Sequence, residues 1–443
     1  MNRNFALLWT GSIISRFGDA IFETALILWI AATIARGQPW APLAVSGCLI
    51  AEFIPIFLVA PVAGVLIDQW REKRRIMLLM DFARAILVGL LILGTGIFFL
   101  LGKGLSPFVQ LGFIYVDILL ISVCTQFFIQ ASNVIYYDIL EPADRARGAG
   151  LMQTITSVAT IAGPPLATLL FFAIGSQWVL LLNALSFLCS FAFILAMRIP
   201  QHLSEAEERK QQRSFLSQLL EGIRFLLGNT LLRTILITAM LFYLWSSSFT
   251  TLGIFFLNDN LHTPLAFYGW LGTSLGIGLA VGAFLASLLA HKLGEARVYG
   301  GSTLLMGALM IVLARLSNFL PALVVIFLLG LLSAAINVAL LPLVLHITPR
   351  AFIGRVASVL GSTVTITRIL FVALMGWLDG SVLRNFHPRL SGVQFGPHDT
   401  IFSVAGILVA AGGFYAIAKL RGVSIVSSQQ AEQTAAERSE AGS

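Results

Sequence analysis

Three charged residues recur at helical spacing inside the first apolar run of the sequence: Arg16, Asp19 and Glu23. Steps of three and four place them on one face of a helix. A carboxylate beside a guanidinium, with a second carboxylate one turn on, can take up and release a proton or can form a fixed ion pair. Asp19 is expected to pair with Arg16. Glu23 has no cation so near in sequence and is the acid freer to exchange a proton. A charge at the bilayer centre costs about 2.5–3.5 kcal/mol on insertion scales, so each needs a partner or a watered wall. An ion pair that merely fixes helix packing is the competing reading, and the residues leave both open.

Other ionisable groups stand alone at similar depth. Glu52 and Asp117 can each be proton-linked or simply hydrogen-bonded to a neighbouring helix. Arg368 follows Thr363, Thr365 and Thr367 and can balance an acid or hold an anionic group. A second charged set lies in a loop: Gly64-x-x-x-Asp68, then Gln69-Trp70-Arg71-Glu72-Lys73-Arg74-Arg75. The glycine permits close helix approach. Asp68 at a helix end, with cations just beyond, suits a breakable ion-pair latch; a solvated basic loop is the plainer alternative. Gly163-Pro164-Pro165 should kink its helix, because successive prolines remove backbone donors and crowd the preceding turn. Tyr243, Trp245, Ser246 to Ser248, Asn337 and Pro342 suit either a broad amphipathic pocket or ordinary helix packing, and His346, just beyond its span, reads as solvated and not catalytic.

The elements that must carry these residues are transmembrane helices. Of 443 residues, 58% are hydrophobic and 11% charged, and the mean hydropathy is +0.90. A soluble domain carries about 25% charged residues. A spanning helix needs about 20 apolar residues, and the hydropathy pattern predicts twelve: 5–33, 44–67, 76–101, 107–131, 148–173, 178–197, 231–256, 265–290, 298–316, 319–345, 353–379 and 400–420. The fold class is all-α membrane protein, with two six-helix bundles at 1–197 and 231–421. Between them lies a cytoplasmic linker, 198–230, whose Phe215, Leu219, Ile223 and Leu226 mark an amphipathic helix at the membrane surface. The tail 422–443, rich in Ser, Gln, Ala and Glu, reads as disordered. Arg3 precedes an apolar run that charges interrupt and that continues to Ala35, so the N-terminus reads as an uncleaved first span.

Alternate loops differ in charge. Nineteen of the 28 Lys and Arg residues fall on the side of the termini and five on the other. That bias puts both termini in the cytoplasm and accounts for the net charge of +7 without nucleic acid. Cys48, Cys124 and Cys189 sit in apolar runs as small buried hydrophobes. No phosphate-binding Gly-rich loop, nucleophile elbow or metal-ligand cluster is present, so neither an enzyme nor a metal or cofactor site is expected.

The loop at 64–75 resembles the loop-2/3 signature of the major facilitator superfamily, with Gln69 in place of its first basic residue and Arg71 in place of its second glycine. Ile14-Ser15-Arg16-Phe17-Gly18-Asp19, Asp81-x-x-Arg84-Ala85, Asn183-Ala184-Leu185-Ser186-Phe187 and Pro349-x-x-x-x-Gly354-Arg355-Val356 extend the resemblance towards the branch of macrolide-efflux and siderophore-export proteins. The resemblance implies two bundles rocking around a central cavity lined by spans one, four, seven and ten. It implies a cytoplasmic gate of Gly64, Asp68, Arg74, Arg75, Asp81 and Arg84 against Gly354 and Arg355. A Gly-Pro element on the fifth span, here Gly163-Pro164, is associated with export. The expectation is a monomeric, cofactor-free exporter in the plasma or inner membrane. It would move amphipathic organic small molecules against protons, in contact with membrane lipids only. Arg16, Asp19, Glu23, Asp117 and Arg368 would form its coupling and substrate cavity. An importer on the same fold and a lipid flippase are the alternatives.

Overall fold

The computed structural model describes residues 2–70, 72–100, 106–197, 215–349, 352–384, 386, 389–390, 393–394 and 396–420. Arg71, most of the linker 198–214 and the tail lie outside the described residues. Twelve helices are long and apolar enough to cross a membrane. In chain order they are α1 (Arg3–Trp29), α2 (Ala41–Gln69), α3 (Lys73–Leu100), α4 (Pro107–Ile139), α5 (Arg145–Ile174) and α6 (Ser176–Ala196). After the shorter α7 (Phe215–Gly228) come α8 (Thr230–Asp259), α9 (Tyr268–Leu293), α10 (Glu295–Ala314), α11 (Phe319–Ile347), α12 (Ile353–Trp377) and α13 (Pro397–Leu420). α8 to α13 are thus spans seven to twelve.

Most of these helices outrun the predicted spans, because hydropathy marks the apolar stretch and not the capped ends. Asn2 Oδ1 accepts from the Phe5 N–H at 2.9 Å, and Asn229 Oδ1 accepts from Leu231 and Leu232 at 2.9 and 3.2 Å. Such caps satisfy donors that the first turn leaves open. Gly175 and Gly294, at φ +87° and +83°, each supply the single left-handed residue that ends one span and starts the next. A two-residue hairpin, β1 (Arg389–Leu390) and β2 (Val393–Gln394), sits between α12 and α13; the hydropathy pattern gave no sign of it.

The two halves repeat one packing scheme. In the first, α1 packs on α5 and α6, α2 on α4, and α3 on α4 and α6. In the second, α8 packs on α12 and α13, α9 on α11, and α10 on α11 and α13. The seams between halves repeat as well: α5 meets α9, and α12 meets α2. α7 lies along the start of α12. Phe225 stacks on Phe352 with centroids 4.5 Å apart, and Arg355 pairs with Glu221 at 2.5 Å. Its predicted apolar positions Ile223 and Leu226 are half-buried and buried.

Both seams are tightest at the face opposite the termini. Gly376 of α12 lies against Ser46 and Pro42 of α2, and Gly380 against Pro39 and Leu43. Gly269 and Gly272 of α9 lie against Pro164 and Pro165 of α5. Ile254 and Val372 from the second half join the buried cluster of the first. Towards the terminus face, Gly64 of α2 and Gly354 and Gly361 of α12 have open space where a side chain would stand.

Candidate functional site

A cavity of about 420 Å³ opens in the first half, lined in part by Ser12, Ser15, Arg16, Asp19, Arg84 and Thr125. Further lining comes from Ser132, Asn133, Tyr136 and Tyr137 of α4 and Gln153 and Thr156 of α5. The last residues of α4 and the first turns of α5 sit at the terminus face, so the cavity is reached from there. Its hydroxyls and amides offer many hydrogen-bonding groups around the guanidinium groups of Arg16 and Arg84, with Phe128 and two tyrosines as apolar walls.

Deeper in, the predicted acids and arginines fall into one electrostatic group. Glu23 on α1 feels the charges of Glu52 on α2, of Asp19 and Arg16 on its own helix, and of Arg368 on α12. Glu52 in turn feels Arg368 and Asp19. Arg368 reaches across from the second half and stacks its guanidinium 4.2 Å above the Phe53 ring of α2, worth about 0.5–2 kcal/mol as a cation–π contact. Glu23 and Arg16 keep solvent-accessible surface, and Asp19, Glu52 and Arg368 are half-buried. Three helices from two halves thus bring three carboxylates and two guanidinium groups to the gap between the bundles.

Asp117 stands apart. It is buried in α4, and its Oδ2 has no hydrogen-bond partner among the described residues. A smaller cavity, about 120 Å³, lies in the second half between Trp245, Ser246, Phe249, Thr250, Leu275, Leu279 and Ser333. His346 is exposed, with Nδ1 3.0 Å from the Pro342 carbonyl.

The residues assigned to a gate are placed in three separate settings. Asp81 and Arg84 form an ion pair on one helix, 0% and 1% exposed. The Arg84 guanidinium is sandwiched 4.5 Å above Phe128 and 4.3 Å above Phe187. Gly18 packs against Asn183 and Ser186 in the same layer, so three of the sequence motifs meet in one knot. Arg74 donates to the Ile194 and Leu195 carbonyls at 3.1 and 2.6 Å, closing the end of α6, and Arg75 pairs with Glu72. Asp68 is exposed at the end of α2, while Arg355 is held by Glu221. Each of these ion pairs joins residues on one side of the predicted gate.

α5 runs helical through Gly163-Pro164-Pro165. Pro165 has no N–H, which leaves the Ile161 carbonyl without its intrahelical donor. Thr273 of α9 sits with Oγ1 3.1 Å from that carbonyl and 3.1 Å from Gly269 O on its own helix. The other half therefore supplies what the proline removed. Thr273→Val should fold and weaken this seam by about 0.5–1.5 kcal/mol, the usual net worth of one hydrogen bond. A lowered thermal midpoint in detergent, absent from a Thr250→Val control, would register it.

A family model described as transmembrane secretion effector matches residues 1–374. The chain belongs to that family of the major facilitator superfamily. Over 396 residues it is 23% identical to the uncharacterized MFS-type transporter YkuC of Bacillus subtilis (strain 168), covering 87% of each chain. Among solved structures, the nucleoside transporter NupG matches with a TM-score of 0.71 at 14% identity, covering 94% of this chain and 99% of that one. An inward-facing bacterial homologue of the iron transporter ferroportin matches with a TM-score of 0.69 at 16% identity, over 94% and 98%. This major facilitator chain is therefore a multi-pass membrane transporter and not an enzyme, and its two bundles have the architecture of that fold.

Proposed function

We propose that this transporter is a proton-coupled exporter of amphipathic organic molecules, working as a monomer in the plasma or inner membrane with both termini in the cytoplasm. The carrying observation is the meeting of Glu23, Asp19 and Glu52 with Arg16 and Arg368 in the gap between halves. Carboxylates balanced against arginines can gain a proton while the substrate is absent and lose it when a substrate or a moved helix changes that balance. No bound cofactor is needed; the proton gradient supplies the drive. The terminus-side cavity, with aromatic walls and many hydroxyls, suits a molecule that is part apolar and part polar. The family description, secretion effector, supports the outward direction, and the loop-charge bias supports the orientation.

In this reading Arg16, Asp19, Glu23 and Arg368 couple and bind, while Asp117, buried apart from them in α4, has no part in the cavity. Asp68, Arg74, Arg75 and Gly64 would close towards Gly354 and Arg355 when the chain turns outward, with the buried Asp81–Arg84 pair bracing α3 behind them. The coupling is tested by the double variant Asp19→Asn, Glu23→Gln in proteoliposomes with an imposed pH gradient. Uphill substrate movement should be lost while downhill exchange continues. Full gradient-driven export by the double variant would refute the coupling role. Uptake driven inward by the gradient would indicate an importer, and movement of lipid alone a flippase.

A further inference from the structure

At the face opposite the termini, His398 is buried, 6% exposed, between two carboxylates from different helices. Its Nε2 lies 3.1 Å from Asp259 Oδ2 at the end of α8. Its Nδ1 lies 2.8 Å from Asp379 Oδ1, in the π-helical stretch Leu378–Val382 that continues α12. The Asp379 contact is close but is not aligned as a hydrogen bond; a neutral imidazole would still turn a lone pair towards one of these oxygens, whereas the imidazolium carries a proton on each nitrogen and a positive charge between the two carboxylates.

Other charged and titratable groups stand near this cluster. Asp399 accepts from the Asn260 side chain and, at 3.2 Å, from the Gly396 N–H. Arg315, after α10, donates to Ser403 Oγ at 2.8 Å and lies 3.4 Å from the Asp399 carbonyl. His262 stands near enough to influence Asp259 but not in contact with His398. His398 is thus the cation positioned between Asp259 and Asp379.

Both carboxylates belong to segments that seal the halves. Asp379 lies between Gly376 and Gly380, which bear on α2 and on the turn just before it. Asp259 ends α8, whose Ile254 enters the first half's core and whose Phe255 stacks on the His398 ring at 6.3 Å. We propose that His398 is a proton-binding site, distinct from the acids of the central gap, that fastens this face shut. Its imidazolium ties the ends of α8, α12 and α13 together in the closed state, and loss of the proton leaves two carboxylates around a neutral ring and lets the seal part.

The test uses the purified full chain in lipid nanodiscs, with Cys48, Cys124 and Cys189 replaced by alanine, and does not depend on any substrate or on the exporter reading. Spin labels at Phe108→Cys and Leu320→Cys, both strongly exposed, report the separation of the halves at this face. From about pH 5 to about pH 10, a range that spans the charge change of an imidazole held between two carboxylates, the long-distance population should rise several-fold. In His398→Gln it should be large at every pH. Asp379→Asn, which keeps the histidine and removes one of its anchors, should raise it at the acid end. A His398→Gln chain that keeps the wild-type pH response would overturn the proposal. So would a wild type that shows no response at all.

Discussion

Arg84→Ala should unfold the first half more readily than any other single substitution at a charged position. Arg84 and Asp81 are almost wholly buried and pair with each other. Truncating the arginine strands a carboxylate in the packed interior and empties the slot between Phe128 and Phe187. Breaking one side of a buried pair costs about 3–5 kcal/mol, whereas replacing both partners with apolar residues of similar volume is often neutral. Thermal unfolding in detergent should therefore show a large loss for Arg84→Ala and a substantial recovery for the pair Arg84→Met, Asp81→Leu. If Arg84→Ala is as stable as the wild type and only transport fails, the pair serves as a gate contact and not as a brace.

Gly376→Val should leave the protein folded and arrest it. A Cβ at this position would strike Ser46 Oγ and the Pro42 carbonyl of α2. Ser46 cannot swing clear cheaply, being 1% exposed with its hydroxyl donated to Pro42 O at 2.9 Å. Overpacking of this kind costs about 1–3 kcal/mol, and here that cost falls only on the state in which α2 and α12 touch. The closed fraction should drop roughly 5- to 150-fold. Substrate flux should fall with it, and a cysteine placed at Leu43 should react faster with an impermeant thiol reagent. Gly112→Val, at a position with open space beside it, should do neither.

The face of α1 that carries Arg16, Asp19 and Glu23 was legible because helical spacing alone groups them. Their link to Arg368 came only with the family resemblance, and that to Glu52 was not legible, since both depend on how α2 and α12 are brought together by packing far along the chain. Asp81 and Arg84 stand three residues apart, so the sequence permitted a pair within one helix as readily as a contact across a gate. Their complete burial came from Phe128 and Phe187, which no local pattern connects to them. Pro165 announced a lost donor but not that Thr273 of the other half replaces it. His398 escaped notice for a related reason. It sits just ahead of the apolar run that marks the last span, and Asp259 and Asp379 read as ordinary charges at helix ends until tertiary packing gathers them.

The seam between α5 and α9 has a kinetic consequence. Gly269, Gly272 and Gly276 face Pro164, Pro165 and Ile161, so little stands between the two backbones that must change rotamer for one to move along the other. Few rotors need reordering, and friction at this contact is low. The Thr273 hydroxyl has a second acceptor on its own helix at the same 3.1 Å. When the halves separate it can trade one carbonyl for the other in a single bond rotation, leaving no proton stranded, while the released Ile161 carbonyl meets the water that enters the cleft. The contact behaves as a bearing with one click-stop: it holds a position, yet adds little to the barrier for leaving it.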